Sequence, residues 1–561
     1  MYLRTTQRRN SDGSLVTYYQ LAHNERDPET KKPIAKVIHN FGRADQLDRD
    51  TLVRLCCSIA RVCKLSVSDP LAEGSGKIKG GDRLPEDLSF SRSYEYGPQL
   101  LIEQLYERLG IGQAVREAMQ KDHCRTPYDR AILAMIANRL CEPNSKLGLW
   151  IEWLNKVYLP GTEELKLEHL YEAMDLLYRH LATIEEQVFF TTADLFNLDV
   201  DVIFYDTTTA TFSIDEGDED EEGEEGLRQY GRPKEGGFAP QVIVALAVTR
   251  DGLPVRSWVF PGNTTDSTTI AKVKEDLRGW KLGRALFVGD AGMNSADNRL
   301  ELARGCGTYV LATRMSSVKA IKDHVLTRPG RFKKVSDNLH VKEAVVGEGV
   351  RRERYLLCYN PREAERQQRH RQQVLVELEQ KLASHPNHEA TQQWAIELKA
   401  SGRYGKYLKV TKHKALELDY EAVNEATKYD GKWVVQTNDD TLTPADAAQS
   451  YKALLVIERC FRSLKTVQLH LTPMYHWVPR RIETHVKLCV LALLIERVAE
   501  NETGQTWRCI RNFLRQLQIA RFETVSHQFF ERNEPSASAA SVLNKLIINL
   551  PNKVLSITPR V

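Results

Sequence analysis

The sequence predicts an α/β protein built on a mixed sheet with helices over both faces, and three observations carry the prediction. Beyond residue 200, three runs rich in β-branched and aromatic residues follow one another: VDVIFYDTTTATFSI, QVIVALAVT and LPVRSWVFPGN, the last two joined by an Asp251-Gly252 turn. Helical and strand patterns then alternate through TDSTTIAKVKEDLRGW, RALFVGDAG, NSADNRLELARGCG and TYVLAT. RALFVGDAG is a near-continuous apolar run, which calls for cover on both faces of the sheet. The order is therefore β-β-β-α-β-α-β.

The remaining elements follow in chain order. Residues 1–68 start with alternating segments, LVTYYQLA and PIAKVIHNFG, that predict a small sheet, with a helix over about 45–65 behind it. The polar, glycine-rich stretch DPLAEGSGKIKGGDRLPED reads as a linker, placed at 69–93. Residues 94–198 are helical in pattern. Pro127 opens one helix there, and the CEPNS break with Ser145 as N-cap opens the next. Two helices joined by a tight turn fit either a helix-turn-helix docked on DNA or a bundle that merely packs. The sheet pattern occupies 199–314. It is re-entered in 431–500, where Trp433 lies in a strand and packing explains it better than stacking on a base. VKLCVLALLI, at 486–495, is half the length of about 20 apolar residues that a membrane span needs and reads as a buried helix. Residues 501–561 are expected to be helical.

With 42% hydrophobic and 27% charged residues in 561, the chain can bury large cores and divide into roughly three or four domains. No apolar segment follows the basic start MYLRTTQRRNSDG, so the expectation is no secretory signal, no membrane and a reducing cytoplasm. Ten cysteines without a CxxC pair argue against structural zinc. The net charge of +3 conceals an uneven distribution. DEGDEDEEGEE, at 215–225, holds nine carboxylates and no cation, which leaves +12 on the rest; such a tract reads as a solvated loop. In SGRYGKYLKVTKHK, Arg403, Lys406 and Lys409 alternate with Tyr404 and Tyr407, a mixture suited to a polyanion backbone, although an exposed strand pair accounts for it equally well.

Two acids stand out. Asp206 lies in the first strand (VIFYDTTT) and Asp290 ends the fourth (LFVGDAG), the arrangement found in RNase H-like nucleases. If those strands are neighbours, both carboxylates reach one edge, and their hard oxygens suit Mg²⁺ or Mn²⁺. A third acid, Glu458, belongs to YKALLVIERCFRSLKT, where Tyr451, Glu458 and Lys465 are spaced by seven. Read as one helix, this places all three on a stripe with Leu454, Leu455 and Phe461, and a carboxylate in an apolar stripe needs partners, which metal ions would supply. Each acid alone has a plainer reading: Asp206 and Asp290 as turn formers, Glu458 paired with Arg462. Asp266 is a tempting fourth acid, but it starts a helix after Thr265 and capping explains it better. Asp201 should face the opposite side from Asp206.

The chain resembles bacterial insertion-sequence transposases of the DDE class, in the subgroup whose last acid lies in a Y-x2-R-x3-E-x6-K helix. Here the pattern reads Tyr451, Leu454, Glu458, Lys465, with Leu in place of Arg. The other matching pieces are DTTT, the GxxK of Gly231 and Lys234, FPGNTTDSTT, GDAG and DGKWVVQTN, which together span about residues 200–500. The resemblance implies an RNase H-like core, with the gap of 168 positions from Asp290 to Glu458 holding an insertion at about 315–430 that helps grip the transposon end. It implies Asp206, Asp290 and Glu458 as catalytic metal ligands for two Mg²⁺ or Mn²⁺ ions, and metal-dependent cleavage of transposon ends followed by strand transfer into target DNA. Lys465, Tyr451, Lys234 and Arg462, the last in place of the missing Arg, would contact DNA. The expected partners are double-stranded DNA, as terminal inverted repeats and target, and a second copy in the synaptic complex. A nuclease without strand transfer, or a decayed DNA-binding repressor, are the alternatives.

Overall fold

The computed structural model describes residues 2–9, 15–26, 33–43 and 88–559, apart from 199, 214–216, 219–225, 235, 316–317, 320, 350–351, 386–388 and 473. Two compact units emerge, 1–88 and 89–561. In the first, β1 (Tyr2–Arg9), β2 (Leu15–Arg26) and β3 (Pro33–Arg43) form the small antiparallel sheet that the alternating segments predict. The helix expected at 45–65, the expected linker 69–93 up to residue 87, and most of the acidic tract lie outside the described residues; the last part of that linker, from Ser89, is strand and not linker, because it pairs with a strand near the C-terminal end of the sequence.

The second unit opens with β4 (Ser89–Glu95) and the helices α1 (Gly97–Arg108), α2 (Ile111–Lys121), α3 (Tyr128–Cys141), α4 (Leu167–Arg179) and α5 (Leu181–Leu195). Ser145 caps as expected, its hydroxyl accepting from the Gly148 amide. The helix it starts is a single turn, Lys146–Gly148, running into a π-turn at Leu149–Trp153, with Trp153 buried. α3, almost wholly buried, packs in a bundle with α4 and the later helix Pro479–Thr503.

The sheet follows. Its first strands are β5 (Val202–Thr211), β6 (Gln229–Gly231), β7 (Ala239–Val248), β8 (Pro254–Pro261), β9 (Leu286–Gly289) and β10 (Tyr309–Thr313). β5, β7 and β8 pair antiparallel in sequence, and Gly252 takes φ +78 in the turn before β8, a backbone state that glycine adopts without a Cβ penalty. β9 then lies parallel beside β5, and β10 parallel beside β9. The spatial order β8-β7-β5-β9-β10 is the RNase H-like order expected from the sequence. Between these strands, α6 (Ile270–Gly279) and α7 (Ala296–Ala303) cover one face.

Strand residues alternate between two cores. Ile203, Tyr205, Ala245 and Phe287 face α5, α6 and α7. Val202, Phe204, Val244, Leu246 and Val288 face the opposite core, which is continuous with the helical bundle.

The sheet continues beyond β10. β11 (Lys333–Ser336), β12 (Leu339–Val346) and β13 (Glu353–Tyr359) are joined to it through β16 (Lys432–Thr437), which lies between β13 and β10. The 315–430 stretch thus divides. Its first half adds strands to the sheet, while α8 (Pro361–Ala383), α9 (Gln393–Ala400), β14 (Leu408–Val410), β15 (Leu416–Leu418) and α10 (Tyr420–Thr427) enclose a separate core around Leu378, Leu408 and Leu416. Trp433 packs against the main core, as expected from its strand.

After β16 come α11 (Pro444–Lys452), α12 (Leu455–Arg462) and α13 (Pro479–Thr503), the last buried nearly all round as VKLCVLALLI implies. Residues 501–561 differ from the helical expectation. Alongside α14 (Trp507–Leu514) and α15 (Ala537–Lys545) they contain β17 (Gln518–Glu523), β18 (His527–Arg532) and β19 (Val554–Pro559), which pair with β4 in a four-stranded sheet. β17 forms a local hairpin with β18, and its other neighbour, β4, is more than 400 positions earlier in the chain. No helix among the described residues is long and apolar enough to cross a membrane.

Candidate active site

Asp206 and Asp290 come together as the first and fourth strands do. β5 and β9 pair Val202 with Leu286 and Phe204 with Val288, and continuing that register by two residues sets Asp206 abreast of Asp290. Both share the parity of Phe204 and Val288, so both project on the face covered by α12, which packs across β5 and β7. The pair is electrostatically costly. Burial raises the Asp206 carboxyl to about 6, with Lys234 and the Thr207 amide opposing the rise and the charges of Asp290 and Asp266 adding to it. Lys234 Nζ stands 3.7 Å from Asp206 Oδ1 and donates to the Thr207 carbonyl. Lys234 therefore serves the acids directly, which its assignment as a DNA contact did not anticipate.

Glu458 arrives on α12, but the local structure corrects the helical count. The stretch 451–466 is not one helix: α11 ends at Lys452, the chain turns at Ala453–Leu454, α12 runs from Leu455, and a π-turn takes over at Ser463–Val467. The buried face of α12 is Ile457, Cys460 and Phe461, whereas Leu455 and Glu458 are exposed. Glu458 is thus on the rim of the apolar stripe, and not in its middle. Leu454, in the position of the motif Arg, is buried in the core.

Tyr451, at the end of α11, links the three acids. Its hydroxyl donates to Asp290 Oδ1 at 3.3 Å, and burial together with the charges of Asp290, Glu458 and Asp206 pushes its own ionisation far upward. The hydroxyl is held among the carboxylates as a donor. Among the described residues no three His, Cys, Asp or Glu side chains form a ready group for a metal ion. The donor chemistry of Asp206 and Asp290 nonetheless fits a hard divalent cation: two carboxylates abreast, one of them desolvated, with Lys234 as a nearby counter-charge.

Asp266 is where sequence reasoning missed a residue of this site. It opens a 3-10 turn after Thr265, as expected, but Thr265 makes no side-chain cap bond. The Asp266 carboxylate instead accepts from the Thr207 hydroxyl, and a Cβ at Gly292, two residues after Asp290, would meet Asp266 Oδ2 at 3.2 Å. Thr207 points to the face opposite Asp206, so Asp266 fixes the strand from behind. Asp201 is paired with Arg250 at 2.7 Å, outside the site.

The other candidates are spread out. Lys465 lies in the π-turn following Glu458, and Arg462 is exposed one turn past it. Arg403 is bound to Glu377 at 2.8 Å, Lys406 stands 4.7 Å over the Tyr407 ring, and Lys409 is exposed on β14 opposite Glu417. These three belong to the separate core of 360–430 and not to the acid cluster.

A sheet of this order, carrying carboxylates abreast on its first and fourth strands, defines the RNase H-like class of polynucleotide-cleaving enzymes. Residues 201–495 match the transposase DDE domain, more than half of the chain, and the chain belongs to that family. Residues 3–69 match the N-terminal domain of the IS1634 family of transposases. The protein is accordingly a DDE transposase of the bacterial insertion-sequence type, an enzyme of DNA transposition that binds DNA, and domains of this family generally use divalent metal ions. No curated protein matches the sequence. One solved structure with a similar chain is a piggyBac transposase synaptic complex with hairpin DNA, at 10% identity and TM-score 0.33, covering 76% of this chain and 82% of that one.

Proposed function

We propose that the enzyme cuts the ends of its element and joins the freed 3′-hydroxyl to target DNA, with Asp206, Asp290 and Glu458 as the catalytic carboxylates. The observation that supports this best is the strand register that sets Asp206 beside Asp290, under the helix that carries Glu458. Asp206 and Asp290, completed by Glu458 when DNA is bound, would hold Mg²⁺ or Mn²⁺, two ions per site, whose chemistry is to lower the charge on the attacking and departing oxygens. The chain's own residues position the rest. Lys234 offsets charge at Asp206, Tyr451 orients Asp290, and Asp266 braces Thr207. Lys465 follows Glu458 as a point charge for a phosphate, and Arg462 is an exposed cation one helical turn past Glu458. Such a site needs no covalent enzyme intermediate, because phosphoryl transfer is catalysed mainly by positioning and charge neutralisation. Bringing two ends together requires at least two copies, so a homodimer is the expected synaptic form, acting on DNA in the bacterial cytoplasm.

Joining separates this reading from a plain nuclease. A pre-cut duplex with the terminal inverted repeat, ending in a 3′-hydroxyl, is incubated with plasmid target and Mg²⁺. Joined product from the 3′-hydroxyl end and none from a 3′-deoxy end is the expected result. Cleavage without any joining would leave the nuclease reading.

A further inference from the structure

A second basic site lies away from the acids, where the turn after α3 meets the segment between the π-turn and α13. A cavity of about 410 Å³ is lined there by Arg139, Lys146, His476, His485, Tyr171 and Tyr475, among others. Its floor is buried and made of basic side chains: Lys146 is 6% exposed, Arg139 7% and the neutral His485 6%. Its mouth is open, with Tyr475 65% exposed.

Among the described residues the floor has no counter-charge. The polar contact shown for the Lys146 ammonium is His485 Nδ1 at 3.5 Å. Arg139 donates to the backbone carbonyls of Asn144 and His470. The charge acting on Lys146 is that of Arg139, which repels it, beside the neutral Cys489 thiol; those on His476 are Lys146, Arg481 and Arg139; no carboxylate is among them. The carboxylate beside this region, Asp175, is engaged by Arg480 and Arg481 at 2.9 and 3.1 Å. Burial and the neighbouring cations lower Lys146 to about 7 and His476 to about 3, which leaves His476 a neutral imidazole. A buried charge without a partner is costly, and a fold that keeps one gains by binding the missing anion.

The cavity is also connected to the DNA-cleaving site. The chain passes from Glu458 on α12 through the π-turn of Lys465 to His470, Tyr475 and His476, and Met474 bridges to Phe212 just past the end of β5. Phe212 is six residues along from Asp206, about 20 Å at roughly 3.3 Å per residue. That corresponds to about six base pairs of a duplex at roughly 3.4 Å each. Resting on the transposase reading above, we propose that this cavity takes a phosphate group from the backbone of the bound DNA, with Lys146 and Arg139 supplying the charge and His476 a neutral donor, while His485 accepts from Lys146 and holds it in place.

The test compares full-length wild type, Lys146→Met and Tyr475→Glu in binding a mixed-sequence duplex over a salt series. Lys146→Met removes a buried, unpaired ammonium, so its Tm should equal or exceed that of wild type; Tyr475→Glu changes an exposed side chain at the mouth and serves if the first variant does not fold. Loss of one phosphate contact should flatten the slope of log affinity against log salt by about 0.9 for Lys146→Met, and both variants should bind several-fold more weakly at low salt. Slopes and affinities equal to wild type in both variants would overturn the proposal while leaving the transposase reading intact; wild type that fails to bind the duplex at all would remove both. Inorganic phosphate is the second probe. If it raises the Tm of wild type but not of Lys146→Met while the DNA slopes stay equal, the cavity takes free phosphate and the DNA assignment is wrong.

Discussion

Thr207 divides the acids of the site between two faces of one strand. Asp206 before it projects toward α12, while the Thr207 hydroxyl reaches through to Asp266 on the far side. This bond was illegible in the sequence because Thr-Asp-Ser at a helix start is the ordinary signal for a cap, and the true partner is 59 positions away. The nearness of Asp206 and Asp290 was easier to anticipate, because each follows an apolar run and those two runs pair as parallel neighbours. Replacing Asp266 with Ala removes the acceptor for Thr207. The expected effect is about a tenfold loss of cleavage rate, one net hydrogen bond's worth of positioning, with most of it recovered in Asp266→Asn, whose amide oxygen still accepts. A single-turnover cleavage assay checks both variants, and equal rates for Ala and wild type would remove Asp266 from the site.

At the scale of elements, the helix bearing Glu458 shows how far periodicity carries. Counting by seven put Tyr451, Glu458 and Lys465 on one line, and the structure does keep Tyr451 and Glu458 within electrostatic reach. The break at Ala453–Leu454 and the π-turn at Ser463–Val467 have no sequence signature as strong as a proline or glycine, so the count passed over them. Leu454 is buried, which gives the departure from the motif a physical consequence: restoring the Arg by Leu454→Arg would place a charge in the core. We expect a loss of roughly 3 kcal/mol or more in denaturant unfolding, with no gain in DNA cleavage.

The π-turn itself is tied to α13, where the Ser463 hydroxyl donates to both oxygens of Glu496 at 2.7 and 2.6 Å. Burial, with the Glu500 charge adding to it and the Ser463 bond and Arg497 opposing, raises Glu496 to about 7 from 4.5. A carboxyl whose folded value is raised holds its proton longer in the native state, so stability falls as pH climbs from about 4.5 through about 7 and then levels. Glu496→Gln, which retains a partner for Ser463, should abolish that slope and gain up to roughly 3 kcal/mol at pH 8. Denaturant midpoints at pH 5 and pH 8 measure it; a wild type as stable at pH 8 as at pH 5 would contradict the assignment.

Across the whole molecule, the strand order was readable from hairpins followed by strand-helix alternation, because in such sheets each local pairing forces the next. What could not be read were pairings between remote segments. β4 finds β17 across more than 400 positions, and β11 to β13 join the sheet only because β16 returns from beyond the 360–430 core to sit between β13 and β10. The return also explains the length of the gap between Asp290 and Glu458: part of it enlarges the sheet and part forms a body of its own.

The central claim is that three remote carboxylates act as one metal-dependent site. The most direct measurement is cleavage of a duplex bearing the element's terminal inverted repeat, by wild type and by Asp206→Ala, Asp290→Ala and Glu458→Ala, with Mg²⁺ and with chelator. The expected result is cutting by wild type in Mg²⁺ alone and a loss of about a hundredfold or more in every variant, each still binding the duplex. Cutting by Asp290→Ala at the wild-type rate, or undiminished cutting in chelator, would contradict it.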